Sequence, residues 1–371
     1  MRVSSLQPRL LLGPGPSPVS ERIREAMARP TLGHLDPQFL GLLDDVNARL
    51  RTLFGTRNQT TFPLSGTGSA GMEAAMVNLI APGDQVLVGV NGVFGTRLAE
   101  MGRRMGAEVV TVEAPWGEIL PEERLIDALE AYPGARLLAL VHAETSTGVL
   151  QPLEQVGAWM REREPLLVVD AVTSLGGVPV AVDAVGIDVC YSGTQKCLGV
   201  PPGLSPITFS EKALGRVRSR TAAPSSWYLD VSLIAGYLGS ERRYHHTAPI
   251  NLIYALHESL VEVEEEGIEA RYRRHREVGR QLQEALGERG FEPFAQEGHR
   301  LPQLTSAYLP DGLAEAPLRR RLLEDHGIEV GGGLGPVSGK IWRIGLMGEG
   351  ARRSSVDRLV AAVDSLLERD V

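Results

Sequence analysis

An amine nucleophile has few places to come from in this 371-residue chain. Of its 38 basic residues only three are lysine (Lys196, Lys212 and Lys340), and the other 35 are arginine. Lys196 lies in Tyr191-Ser192-Gly193-Thr194-Gln195-Lys196-Cys197, among small, polar and apolar residues, without the charged neighbours of a solvated lysine. Asp170 closes the apolar run Leu166-Leu167-Val168-Val169, which reads as a buried strand ending in a carboxylate. The two are 26 residues apart, the length of one crossover plus a strand. Consecutive strand ends of one sheet face the same crevice, where such sheets bind ligands. A carboxylate there can pair with a buried cation such as a protonated ring nitrogen, and an amine beside it can act as nucleophile or general base. Taken singly, Asp170 also suits a helix cap and Lys196 an ordinary lysine; the pair, in a chain so poor in lysine, points to chemistry.

A second feature binds anions. Leu64-Ser65-Gly66-Thr67-Gly68-Ser69-Ala70-Gly71 opens a helix. Small residues let the backbone approach a phosphate, and free N–H groups at a helix start favour its charge. The hydroxyls of Thr67 and Ser69 add donors. The same glycines fit a dinucleotide fingerprint, which would make the chain a nicotinamide-dependent dehydrogenase. That alternative is weakened because Asn58–Phe62 is not a strongly apolar strand, and because Gly89-Val90-Asn91 stand where an acidic ribose partner belongs. Arg343, in Ile341-Trp342-Arg343-Ile344-Gly345-Leu346, alternates with apolar residues on a strand, and its planar guanidinium suits a carboxylate. Gly335–Lys340 is one residue short of a P-loop and has Ile341 in place of its Ser/Thr. His245 and His246, read as strand neighbours, point to opposite sides without a third ligand, so no metal is expected.

These residues need a frame. Residues 1–20, with Gly13-Pro14-Gly15-Pro16, form an extended arm. Helices are expected at Glu21–Ala28 and Phe39–Phe54. From Pro63 onward, strand-length runs (Gln85–Val90, Arg136–His142, Leu166–Asp170, Val189–Ser192) alternate with helical patterns at Ser69–Ile80, Gly95–Met105, Pro121–Ala131 and Pro152–Glu164. That alternation predicts an α/β fold, a mostly parallel sheet covered on both faces. A long helical pattern from Leu252 to Leu286 leads into a smaller α+β unit: strand Gln303–Leu309, helix Ala316–His326, a glycine-rich loop, strand Ile341–Leu346 and helix Ser355–Arg369. The expected division is an arm (1–20), a large domain (21–265) and a small C-terminal domain (266–371).

Composition sets the outer limits. The net charge of −8 argues against nucleic acid as a partner, and the basic run Arg271–Arg276 reads as a solvated helix face. The two cysteines, Cys190 and Cys197, read as packing residues and exclude a disulfide framework. No apolar stretch is long enough to span a membrane, and neither end matches a targeting signal, so a cytoplasmic protein is the expectation.

The motifs occur in a fixed order: Ser65-Gly66-Thr67-Gly68 through Glu73, Glu144-Thr145-Ser146-Thr147-Gly148, Asp170-Ala171-Val172, Ser192-Gly193-Thr194-Gln195-Lys196 and Tyr244-His245-His246-Thr247. Together they resemble the class V aminotransferases among the fold-type I pyridoxal-phosphate enzymes, nearest the alanine–glyoxylate and serine–glyoxylate (serine–pyruvate) group. The likeness runs from Gly13 to the Arg343 strand. It implies a ping-pong aminotransferase moving an amino group from alanine or serine to glyoxylate or pyruvate, with another amino donor as the alternative. It also implies pyridoxal 5′-phosphate held covalently by Lys196, with Asp170 at its ring nitrogen and Val172 and Phe94 on its ring faces. Thr145 would lie near the ring hydroxyl. Thr67, Gly68, Ser69 and Gln195 would hold the phosphate. Tyr244 and Thr247 would reach the phosphate of a neighbouring subunit, implying a homodimer, and Arg343 and Gly15 would meet the substrate. Close relatives carry tryptophan where Phe94 stands, and some carry histidine at Ser69.

Overall fold

The computed structural model describes residues 2–238 and 242–368. Its centre is a seven-stranded sheet made of β1 (Thr60–Ser65), β2 (Gln85–Val90), β3 (Glu108–Glu113), β4 (Leu137–Val141), β5 (Leu166–Asp170), β6 (Val189–Tyr191) and β7 (Leu204–Phe209). The strand order is β1-β7-β6-β5-β4-β2-β3, with β7 antiparallel to both neighbours and the remaining pairs parallel. β4, β5 and β6 are buried along their whole length, as expected for continuous apolar runs in a sheet covered on both faces.

Three strands carry no clear sequence signature. Pro63 and Pro206 stand opposite each other in the β1–β7 pair, and proline ordinarily argues against a strand. β3 forms the sheet's other edge, and its glutamates and threonine give no apolar run. A strand does precede the glycine turn, and its Thr60-Thr61 start is, as read, not strongly apolar. It is an edge strand paired to an antiparallel neighbour rather than the centre of a βαβ unit.

The helices follow local chemistry. In α1 (Pro37–Phe54) the Asp36 carboxylate accepts the Gln38 N–H at 2.8 Å, proline occupies the first turn, and Gly55 ends the helix in the left-handed region at φ 65°. α2 (Gly68–Leu79) and α3 (Val93–Arg104) follow β1 and β2. The helix expected over Pro152–Glu164 is confined to Glu154–Met160. The long pattern from Leu252 breaks at Gly267 (φ 80°) into α4 (Ile250–Glu266) and α5 (Ile268–Gly287). Period alone did not show this break, because apolar spacing continues across the glycine.

The C-terminal part has a four-stranded sheet, β8 (Glu292–Pro293), β9 (Leu304–Tyr308), β10 (Gly331–Gly332) and β11 (Ile341–Gly345), in the order β8-β9-β11-β10. α6 (Glu315–His326) and α7 (Arg353–Leu367) pack with it; the expected helix end at Arg369 lies outside the described residues. β10 falls in the expected glycine-rich loop. Trp342 and Ile344 belong to the apolar cluster of this part, and so does Leu12 of the arm. The arm is stitched to it directly: Leu10–Leu11 pairs in parallel with Ile328–Glu329, and Gly345 N donates to Leu12 O at 2.8 Å.

The Arg271–Arg276 run is not a solvated face. Arg271 and His275 are buried and Arg274 is half-buried, with only Arg273 and Arg276 exposed, because this side of α5 packs against the loop that follows Lys196. Among the described residues no helix is long and apolar enough to cross a membrane.

Candidate active site

The parallel pairing of β5 with β6 sets Asp170 opposite Tyr191, so the acid and the start of the lysine loop emerge at one sheet edge. Asp170 is 3% exposed. Its carboxylate accepts the Val172 N–H and the Tyr191 hydroxyl, both at 2.9 Å. Burial lifts its pKa to about 6 despite these donors, with Glu144 adding a like charge and Lys196 pulling the other way. Lys196 is also buried, and its Nζ donates to the Pro14 carbonyl. Burial first, and then the Arg343 charge, lower the lysine to about 8. The arm thus crosses the lysine. Ser17 fixes it there, its N–H donating to Gln195 O at 2.9 Å and its hydroxyl to Lys196 O at 2.6 Å. Gly15 has φ +106°, a conformation that favours glycine, and a Cβ there would meet Lys196 Nζ at 2.7 Å and displace the lysine.

The glycine turn arrives from β1. A Cβ on Gly68 would meet Val172 at 2.8 Å, which places the start of α2 directly on the residue after the acid's own turn. Thr67 and Ser69 are exposed, and the first N–H groups of α2 have no intrahelical partner. The Gln195 carboxamide makes no hydrogen bond among the described residues, and its Oε1 is buried. Phe94, half-buried, opens α3 with the Arg97 guanidinium 4.9 Å over its ring; Arg97 also donates to Ser69 Oγ at 3.3 Å.

Arg343 comes from the other part of the molecule. Trp342 and Ile344 enter the C-terminal core, while Arg343, on the opposite face, reaches the sheet edge. It is 7% exposed, donating from Nε to Gly332 O at 2.7 Å and from Nη1 to Thr145 O at 3.2 Å. No ion pair joins it to a described residue, and burial lowers its pKa. A buried cation satisfied only by carbonyls is a site for an anion.

Sequence reasoning assigned no role to Glu144, although it opens one of the motifs. Fully buried, it accepts the Phe94 and Gly95 N–H groups at 3.0 and 3.3 Å and the Ser146 N–H and hydroxyl at 3.0 and 2.5 Å, fixing the turn that presents Phe94. Tyr191 was hidden inside an apolar strand; the β5–β6 register is the signal that finds it. Tyr244 and Thr247 do not join the lysine pocket within this chain. Both are exposed and bonded to each other at 3.3 Å. Their segment is irregular rather than a strand, so His245 and His246 do not diverge: their Nδ1 atoms are hydrogen-bonded at 2.7 Å, and His246 Nε2 reaches Ser65 Oγ at 2.8 Å beside the glycine turn. Cys190 and Cys197 are unpaired and buried.

Comparisons with known proteins agree with this arrangement. A crystal structure of an alanine–glyoxylate aminotransferase from Nostoc sp. superposes with a TM-score of 0.97, at 48% identity over 99% of this chain and 97% of that one. The alanine–glyoxylate aminotransferase of Oryctolagus cuniculus is 42% identical over 97% of this chain and 93% of its own. The (S)-ureidoglycine–glyoxylate transaminase of Bacillus subtilis is 35% identical over 97% of this chain and 91% of its own. The architecture is therefore that of the fold-type I aminotransferases. With residues 19–355 matching the family model for class V aminotransferases, the chain belongs to the class V aminotransferase family.

Proposed function

We propose that this aminotransferase uses pyridoxal phosphate to pass an amino group from a small amino acid, alanine or serine, to glyoxylate or pyruvate. The observation that carries the reading is the convergence on one sheet edge of a buried lysine, a buried acid and an arginine without a carboxylate. Relatives named for glyoxylate support that acceptor, while their differing donors, alanine and ureidoglycine, leave the donor to experiment.

The residues suit the cofactor. The hydroxyls of Thr67 and Ser69, the N–H groups opening α2 and the unpartnered Gln195 carboxamide form a cradle for a phosphate. A substituent on Gly68 would fill the space beside Val172. Asp170 would hold a protonated ring nitrogen, and such a cation would favour the charged carboxylate that burial disfavours. Val172 and Phe94 offer apolar faces for the ring, and Thr145 stands beside the Arg343 clamp. When bound, the cofactor supplies an electron sink for the carbanion at the substrate's Cα.

This chain's own groups do the rest. Lys196 Nζ, brought to about 8, gives up its proton more readily than an ordinary lysine and can take the Cα proton and return it. The Arg343 guanidinium binds the substrate carboxylate and fixes which Cα bond faces the lysine. The Pro14–Gly15 turn covers the lysine and excludes water. We place the enzyme in a reducing, cytoplasmic setting, on the two unpaired cysteines, and as a homodimer. The exposed Trp227, Tyr228 and Tyr244, on a segment tied to Ser65 through His246, suit a subunit contact that brings Tyr244 and Thr247 to a neighbour's site.

The test is a donor screen against glyoxylate and pyruvate. Wild type should transaminate alanine or serine with the parallel-line kinetics of double displacement, and Lys196→Ala should show no turnover. Appreciable transamination by Lys196→Ala, or none by wild type with any small donor, overturns the reading.

A further inference from the structure

Behind the lysine, away from the proposed substrate side, lies a polar cluster that the mechanism above does not use. Arg271, on α5, donates from Nη2 to Cys197 O at 2.6 Å and from Nε to Gly176 O at 3.2 Å. The first of these carbonyls belongs to Cys197, the residue immediately after Lys196. Its third donor, Nη1, meets Glu266 Oε2 at 2.8 Å. The same carboxylate accepts two bonds from Arg274, at 2.6 and 2.9 Å. Arg274 Nη1 in turn donates to Gly348 O and Ala351 O, both at 2.8 Å. Gly348 lies five residues beyond Arg343 on the same chain segment.

The loops at the two ends of this chain of bonds also touch. A Cβ on Gly348 would meet Cys197 O at 3.0 Å and Gly199 N at 3.3 Å. His275 adds a cross-tie. Its Nδ1–H donates to Arg271 O at 2.8 Å and its Nε2 accepts the Gly348 N–H at 3.2 Å. That use of both ring nitrogens requires the neutral ring, and burial, followed by the Arg271 charge, keeps its pKa at about 3. Burial works against the charged form of Glu266, but the bonds and charges of Arg274 and Arg271 overcome it and hold its pKa at about 2. The cluster is therefore a fixed pair of cations around one anion, not a loose surface network.

We propose that Arg271 and Glu266 are positioning residues: Arg271 pins Cys197, the residue after Lys196, by its carbonyl, and Glu266 ties that pin through Arg274 to the loop after the Arg343 strand. The two groups that handle the substrate come from different sheets and have no covalent link shorter than the intervening chain. Proton transfer between Lys196 and a Cα held by Arg343 requires their separation to be set within a fraction of an ångström. The brace sets it from behind without touching substrate.

This inference rests on the proposed aminotransferase reading, and the test separates the two. Arg271→Met, Arg271→Lys and Arg274→Met are prepared as holoenzymes with pyridoxal phosphate. Each is assayed for kcat and KM with the best donor, and its cofactor band is recorded by visible circular dichroism, which reports the cofactor's orientation. Arg271→Met should lower kcat about tenfold or more while the KM of the donor stays within about twofold, because the carboxylate clamp is intact. Its cofactor band should change in ellipticity. Arg271→Lys keeps a donor for Cys197 O and should recover part of both. Arg274→Met leaves the lysine pin in place, folds independently of the fate of Arg271→Met, and should show the same kcat-selective loss in smaller degree. Unchanged kcat and ellipticity in Arg271→Met and Arg274→Met, or a loss confined to thermal stability, overturns the brace. The function reading is untouched by that result, since it fails only if Lys196→Ala retains turnover.

Discussion

Arg343 and Arg271 are buried to nearly the same degree, 7% and 5% exposed, and both donate to backbone carbonyls. Only Arg271 meets a carboxylate. Glu144, the acid whose charge reaches Arg343, spends its oxygens on Ser146, Phe94 and Gly95. A buried guanidinium leaves water at a cost that an anion must offset. Around Arg271 and Arg274 the protein supplies that anion itself. At Arg343 it does not, and the deficit is what a substrate carboxylate would fill. Burial and hydrogen-bond count alone would rank the two arginines alike; their charge balance separates a fixed brace from a binding group.

The sharpest break in this comparison is Arg343→Ala. Its kcat/KM for carboxylate substrates should fall about 100- to 1000-fold, the scale of a lost charge-assisted fork, with little loss of thermal stability. A kcat/KM close to that of wild type removes Arg343 from the clamp. Glu266→Ala should lose stability as well as kcat. It strands two cations and should cost about 2–3 kcal/mol in denaturant unfolding, below the fully buried range because Glu266 keeps some access to water. An unfolding midpoint matching wild type would show that the brace is not held by its charge pairing.

The smallest effect is in pH. In cofactor-free protein, Asp170 titrates at about 6, above its ordinary 3.8, so between those values the native state holds a proton the unfolded chain lacks. Its contribution to stability therefore declines as pH rises through that window. Glu266 titrates at about 2, below its ordinary 4.5; its contribution is complete above 4.5 and is lost as pH falls towards 2. Unfolding free energies across pH 3–7 for wild type, Asp170→Asn and Glu266→Gln should show the two variants departing from wild type with opposite slopes. Slopes of one sign would contradict the division between a site carboxylate and a brace carboxylate.

The same comparison shows what was legible beforehand. Asp170 could be read because it ends a continuous apolar strand, and Lys196 because it follows the next strand in a chain with only three lysines; the observed β5–β6 register brings the acid to the start of the lysine loop. Arg343 could be read because strand alternation sends Trp342 and Ile344 into the core and the arginine the other way. The brace could not. Glu266 and Arg271 flank Gly267, where two helices meet, and a helical pattern running on from Leu252 to Leu286 makes Arg271 look like part of an exposed charged face. Its partners, Gly176 O and Cys197 O, are backbone groups without a sequence signal. Strands β1 and β7 stayed hidden for a related reason, since their pairing places Pro63 opposite Pro206 and only the tertiary register tolerates both.

The most direct test of the central claim, that Lys196 is the amine of a pyridoxal-phosphate aminotransferase, is a spectral half-reaction on the purified holoenzyme. The account predicts an absorbance band near ~400 nm that alanine or serine removes and glyoxylate or pyruvate restores, with neither change occurring in Lys196→Ala. A band indifferent to every small amino acid in wild type, or the same cycle at a comparable rate in Lys196→Ala, would contradict it.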